Sequence, residues 1–296
     1  MDVSGRFFER ARQFVYRNAR PLDFARWQYH FEKGSAENVL RILSAYQNSD
    51  GGFAHAIEPD LWDPESTTVG SFAAAEIMRE VNAPAEHPVV QGLLKYLESG
   101  KEFDRDKWQY FAPPGRVYPH AAWCGYAGGE KAPALNFSAA FAGFILKYAK
   151  EDSALYRVGR GIAIKCIFEF FVQKPQDTAT LKCYLSLLGD AEGISEFGAI
   201  DMAYFRRQLY REIRAAAEKQ EPPRLMQFYE PRGYVFQIFG KEWPKADAAA
   251  MRVAQQADGS LPYSRKWWTG FKQAEIAENW HKAAQLISAL VFMKAI

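Results

Sequence analysis

Two textures alternate along the chain. In the first, apolar residues recur at helical spacing with polar ones opposite. Over 87–98, Val90, Leu93, Leu94 and Leu97 share a face, with Gln91, Lys95 and Glu98 behind them. Over 203–219 the stripe is Phe205, Leu209, Ile213 and Ala216, and Arg206, Arg207, Arg211, Arg214 and Lys219 point elsewhere. Segments 6–17 and 36–47 read the same way, as helices that bury one face and wet the other. In the second texture the segment is apolar nearly all round, as over 68–78, 137–149, 161–173, 179–188 and 283–293. A helix without a polar face has to be covered on every side. The alternation therefore predicts an all-α chain, with an inner ring of buried helices jacketed by amphipathic ones.

Punctuation supports these boundaries. Ser66 and Thr67 are placed to cap a helix starting near Thr68, Asn136 one starting at Phe137, and Asp177 or Thr178 the next. Strand signals are weak. The run from Gly233 to Phe239 reads as a strand or a loop, and small hairpins in the connections are the most β structure expected. The stretch 101–135 reads as one long irregular loop, rich in proline and glycine and carrying Phe103, Trp108, Tyr110, Phe111, Tyr118, Trp123 and Tyr126. A loop of that length inside a domain is functional or disordered, and its rings argue against disorder. No linker divides the chain, so residues 1–296 read as a single domain.

Composition narrows the classes of function. Lys and Arg number 37 against 35 Asp and Glu, a net charge of +2 that predicts neither nucleic-acid nor anionic-membrane binding. The N-terminus carries charges throughout, unlike a signal peptide, and no apolar run approaches the 18 or so residues of a membrane span. Three cysteines, Cys124, Cys166 and Cys183, form no CxxC pair, which fits a reduced, cytoplasmic setting. Aromatics reach 15%, enough to fill a large core or to wall a cavity for an apolar, cationic or sugar-like ligand.

The most specific signal is internal similarity. Residues 40–53 read LRILSAYQNSDGGF and residues 250–261 read AMRVAQQADGSL. Each has an apolar helix end, a glutamine, two residues and Asp-Gly, and each leads through a loop to an all-apolar helix. Gly51, Gly52 and Gly259 allow positive φ just past a helix end, while the Gln and Asp side chains satisfy open backbone groups. Here the chain resembles the superfamily of terpene cyclases and protein prenyltransferase β subunits. Gln47, Asp50, Gly51, Gly52 and Phe53 match that family's QW motif, and Gln255, Asp258 and Gly259 match it in part, with Ser260 in place of the second glycine. The resemblance implies an (α/α)6 toroid over most of the chain.

The family's acidic motifs, Asp-x-Asp-Asp and Asp-Asp-x-x-Asp, are absent. Its zinc ligands are only partly represented, since Cys124 and His281 lack an Asp-x-Cys pair and zinc needs three or four converging ligands. No metal site is therefore expected, and no cofactor is identified. The strongest chemical candidate is HAIEPDLWDPES, where His55, Glu58, Asp60 and Asp63 would surround a cavity mouth with Trp62 as a wall. Paired carboxylates act as acid and base once burial or repulsion separates their pKa values. The competing reading is that Asp60 and Asp63 cap turns, Glu58-Pro59 stops a helix and His55 is a surface residue. A second constellation is His120, Trp123, Cys124 and Tyr126. A third is Glu278, Trp280 and His281 with Trp267 and Trp268 before them. Glu278 and His281, three apart on a helix, share a face and are placed to hydrogen-bond. Asn279 reads as a cap of that helix, and all three cysteines read as core. Three functions follow: an enzyme binding a prenyl or other apolar ligand in an aromatic-lined cavity; a carbohydrate-active enzyme of lyase or glycosidase type; and a non-catalytic protein binding a small molecule.

Overall fold

A computed structural model describes residues 5–104, 107–109, 118–124, 135–173, 177–194, 197–198, 200–220, 224–230 and 232–296. Helices make up most of it. They are α1 (Arg6–Asn18), α2 (Pro21–Phe31), α3 (Ala36–Leu43), α4 (Thr68–Glu80), α5 (Pro88–Glu98), α6 (Leu135–Tyr148), α7 (Ala154–Gln173), α8 (Thr178–Asp190), α9 (Met202–Glu218), α10 (Tyr234–Phe239), α11 (Glu242–Ala254) and α12 (Ala274–Ala295). The strands β1 (Phe103–Asp104) and β2 (Lys107–Trp108) form a minimal antiparallel hairpin in the connection after α5. The all-α class read from the sequence therefore holds. Among the described residues no helix is long and apolar enough to cross a membrane.

The buried helices are those without a polar face. On α6, the residues Ala139 to Ile145 are fully buried, and α6 packs against α4, α7 and α8. Long α12 packs against α1, α2 and α11 and buries Ala283, Leu286, Ile287, Leu290, Phe292 and Met293. The amphipathic helices behave as their stripes require, with α9 burying Phe205, Leu209, Ile213 and Ala216. Thr67 caps α4 by accepting from Gly70 N, and Asp177 caps α8 by accepting from Thr180 N.

Four expectations need correction. The segment 161–173 lies in α7 and is not covered on every side, since Phe168 and Val172 face solvent. Its apolar residues exceed what one interface can cover. The run 234–239 is helical rather than extended: Gly233, at φ 73°, ends the preceding turn and lets α10 start. Asn279 lies inside α12, whose first residue is Ala274, and caps nothing. Asn136 likewise lies inside α6, which begins at Leu135, so it does not precede the helix as a cap. Most of the loop 101–135 lies outside the described residues.

The two Gln-turns share one construction. Gln47 Nε2 donates to Gly51 O across its own turn (2.9 Å) and to Val89 O at the start of α5 (3.0 Å). Gln255 Nε2 donates to Gly259 O (3.0 Å) and to Phe7 O at the start of α1 (2.9 Å). Asp50 accepts from Gly52 N and Ser66 Oγ, and Asp258 from Ser260 N and Ser260 Oγ. The serine thus fills in its own turn the hydrogen-bonding role that Ser66 fills for Asp50. Gly51 (φ 90°) and Gly259 (φ 94°) cannot be replaced in place: a Cβ on the first would lie 2.0 Å from Gly92 O, and on the second 2.2 Å from Arg10 O. Each turn therefore staples its helix to another amphipathic one, and the second staple joins the end of α11 to the start of α1.

Candidate functional site

Three connections converge on Asp60: the one between α3 and α4, residues 118–124 ahead of α6, and the one between α11 and α12. The first is shaped by His55 and Ala56, adjacent residues in left-handed backbone (φ 58° and 59°). Such a conformation costs about 1 kcal/mol or more per non-glycine residue, so its surroundings have to enforce it. Arg20 does so from the start of α2. Its Nη1 donates to Ala56 O (2.5 Å) and Ile57 O (2.8 Å), and its Nε to Asp23 Oδ2 (2.7 Å). The backbone then pairs with the second connection: Trp62 N donates to Pro119 O and Ala121 N to Asp60 O. Ala122 N in turn donates to Trp267 O and brings in the third.

The Asp60 side chain is 1% exposed and fully engaged. Its Oδ1 accepts from Trp267 Nε1 (2.8 Å) and His281 Nε2 (2.8 Å), and its Oδ2 from Trp123 Nε1 (2.7 Å). Burial alone would push this carboxyl up. The hydrogen bond and charge of His281, with the two indole donors, more than reverse that and hold it below the usual aspartate range. An ionised carboxylate only accepts, so Nε2 carries the proton and a neutral His281 keeps Nδ1 as an acceptor. Glu58 is set the other way. Its Oε1 lies 3.7 Å from the same Nε2, and burial pushes its carboxyl up; the negative Asp60 adds to this, against the pull of His281 and Arg20. Two carboxylates flanking one imidazole thus have pKa values driven apart.

Rings enclose this group. Trp62 and Trp280 stack with centroids 5.2 Å apart and planes 5° from parallel, and the Arg20 guanidinium lies over Trp280 at 5.6 Å. Tyr263 stacks on the His281 imidazole at 5.3 Å. A cleft of about 160 Å³ beside it is lined by Tyr263, Trp267 and Glu278 among others.

No family model, curated protein or solved structure matches the chain.

The sequence candidates divide cleanly. Glu58, Asp60, His281, Trp62, Trp123, Trp267 and Trp280 come together. Others do not. His55 turns away to Asn48 Oδ1 (2.9 Å), as its left-handed backbone directs it. Asp63 is buried in its own turn, its Oδ1 accepting from Glu65 N. Glu278 does not reach His281: it pairs with Lys282 one turn along α12 (2.7 Å), leaving His281 to Asp60. His120 engages Tyr118 O (2.7 Å) and the Phe271 ring, and Trp268 is 84% exposed. Tyr126 lies outside the described residues. The three cysteines are buried, as core residues are.

Arg20 and Tyr263 were missed. Arg20 precedes Pro21 in an ordinary helix start and gives no local signal. Tyr263 stands as far past Gln255 as His55 stands past Gln47, so the repeat register marks it.

Glu58, Asp60 and His281 each offer a ligand-type atom within 4.8 Å of the others. The donor set suits a divalent cation by type. However, both Asp60 oxygens already take N–H donors, and the Nε2 proton points at one of them, so the group is arranged for hydrogen bonding and proton transfer.

Proposed function

We propose that this chain is an (α/α)6 toroid whose Glu58–His281–Asp60 group performs general acid–base catalysis on a carbohydrate. Alternation of stripe-bearing and apolar helices supports the ring, as does the packing of α12 against α1 and α2. The Gln255–Phe7 staple supports it most directly, because it seats the last outer helix against the first.

The observation that carries the reaction is the split between the carboxylates: Asp60 held ionised by three donors, Glu58 raised by burial beside the same imidazole. Such a split assigns roles. Glu58 holds the proton and delivers it to a leaving oxygen. His281 Nδ1 takes a proton from substrate or from water. Asp60 fixes the imidazole tautomer and stabilises the cation that forms, without touching substrate. Its lone pairs are committed to N–H donors, so a covalent glycosyl intermediate on Asp60 has no support, and proton transfer is the better reading.

The substrate class follows from the walls. Flat indole faces beside charged and hydrogen-bonding groups suit a sugar ring, which is apolar on its faces and polar at its rim. Trp123, bonded to Asp60 yet 41% exposed, extends the same surface outward. A prenyl ligand has less support. Phe53, Phe141 and Phe144 are fully buried as packing, and the larger described cavity is lined mainly by charged groups, with Tyr156 its one ring.

The test is a panel of neutral and acidic oligosaccharides, followed for new reducing ends and for the ultraviolet absorbance of unsaturated products. Glu58→Gln is expected to abolish turnover while leaving the fold intact. Full turnover in both Glu58→Gln and His281→Ala would refute the assignment, as would thermal stabilisation by prenyl diphosphates with no response to any sugar.

A further inference from the structure

A separate cavity of about 610 Å³ opens at the C-terminal ends of α6 and α8, beside the turns that follow them. Its ionic lining is Lys147, Glu151, Arg160, Asp190, Glu192 and Arg232. The charges balance in sign, so the cavity is built for a ligand carrying both signs rather than for a simple anion or cation.

Three of these groups have unspent hydrogen-bonding capacity. Asp190 is 6% exposed; its Oδ2 accepts from Arg79 Nε (2.7 Å), but its Oδ1 has no hydrogen-bond partner. Arg232 approaches Asp190 Oδ1 at 3.8 Å and Glu192 Oε2 at 3.6 Å, both beyond direct hydrogen-bond reach. The Lys147 ammonium lies over the Tyr148 ring at 4.9 Å and forms no ion pair with a described residue, and burial holds its pKa below the usual lysine value. Gly189 makes room for this arrangement, since a Cβ there would lie 2.3 Å from Arg232 Nη1. A buried acceptor without a hydrogen-bond donor, beside a guanidinium held only by long ion pairs and a lysine that pairs with no described acid, is an unfavourable arrangement that a complementary ligand relieves.

The geometry points to a binding site for a free α-amino acid. Its carboxylate lies between Lys147 and Arg232, a fork suited to two oxygens. Its ammonium supplies the donor that Asp190 Oδ1 lacks. A neutral polyol would satisfy the hydrogen bonds but bring no charge to Lys147, which pairs with no described acid, or to Asp190 Oδ1, so the zwitterion is favoured. The volume accepts a side chain of any size, which puts recognition at the charged end.

The test is a thermal-shift screen of the full chain against each proteinogenic L-amino acid in large excess. At least one is expected to raise Tm, and its N-acetyl and methyl-ester derivatives, each lacking one charge, are expected not to. Asp190→Asn also neutralises one of the two carboxylates that pair with buried Arg79 and endangers the fold, so Lys147→Met carries the argument. It is expected to keep the unliganded Tm and to weaken the response about tenfold, the loss of one charge-assisted contact. The proposal is overturned if no amino acid raises Tm, if the N-acetyl form equals its parent, if Lys147→Met responds as the unaltered chain does, or if maltotriose alone produces the shift.

Discussion

Asp60→Asn is the most informative single change. Asparagine keeps the shape but offers one acceptor oxygen in place of two. Turned to keep its oxygen on Trp267 and His281, it presents its amide protons to the Trp123 N–H, and that bond is lost. Losing one hydrogen bond to a charged acceptor costs about 2 kcal/mol, and weakening the other two from charge-assisted to neutral costs about 1 kcal/mol each. Two terms offset this. A neutral amide is cheaper to bury than a carboxylate, and Trp123, 41% exposed, can pass its N–H to water. The expected net loss is about 2 kcal/mol at neutral pH. Its pH dependence is the sharper test. The folded-state pKa of Asp60 is lowered, so its contribution is fully present above the unfolded value of about 3.9 and fades as pH falls through the lower folded value. Urea unfolding followed by tryptophan fluorescence, at stepped pH, measures this difference directly. Equal stabilities at neutral pH, or a gap that does not shrink under acid, would refute the account of Asp60 as an ionised hub. So would a double-mutant cycle with His281→Ala that returns no coupling.

Other changes test the fold and the roles. Gly51→Ala and Gly259→Ala each put a methyl into a backbone carbonyl and should cost at least about 3 kcal/mol, read by chemical denaturation. Arg79→Met strips a buried, ion-paired Asp190 and should cost about 3–5 kcal/mol, while restoring neutrality with Asp190→Leu in the same chain should recover part of it. Glu58→Gln should be neutral or stabilising above the unfolded glutamate pKa. A carboxyl raised by burial costs stability once the unfolded chain would ionise it, and a fixed neutral side chain removes that cost. Gln255→Ala should destabilise more than a surface change of the same size, because it frees Phe7 O and Gly259 O together.

What could be read from the chain depended on how local each cause was. The helices at 68–80 and 178–190 were legible because Thr67 and Asp177 sit immediately before them and cap them. The exposed side of α7 was not, because periodicity reports how apolar a segment is and not how much neighbouring surface exists to cover it. In the site, Asp60 and His281 stood out by residue type, while their pairing did not. A helical spacing of three suggested Glu278 as the partner of His281, and a contact made by an acid far away in the chain won instead. Local geometry also decided against His55. Its place among acids looked functional, but its left-handed backbone turns the ring to Asn48. Tyr263 was recoverable only from the repeat register, and Arg20 from nothing local at all.

The separation of the parts of the site carries a consequence for folding. Asp60 takes its donors from residues 63, 207 and 221 positions along the chain. The two bonds to Oδ1 cannot form until the α11–α12 connection and the start of α12 lie beside the loop before α4, and Gln255 reaching Phe7 is part of what brings them there. Closing so long a loop costs entropy that grows only slowly with its length, so the expense lies in ordering the connections rather than in spanning the distance. Three nonadjacent loops are therefore held by one buried carboxylate with no spare acceptor. That hub also holds His281, whose Nε2 lies 3.7 Å from Glu58 Oε1, at a set distance from the second carboxylate. On the proposed roles, Glu58→Gln should therefore lose turnover without losing stability, whereas Asp60→Asn, which loosens the loops and the imidazole together, should lose both.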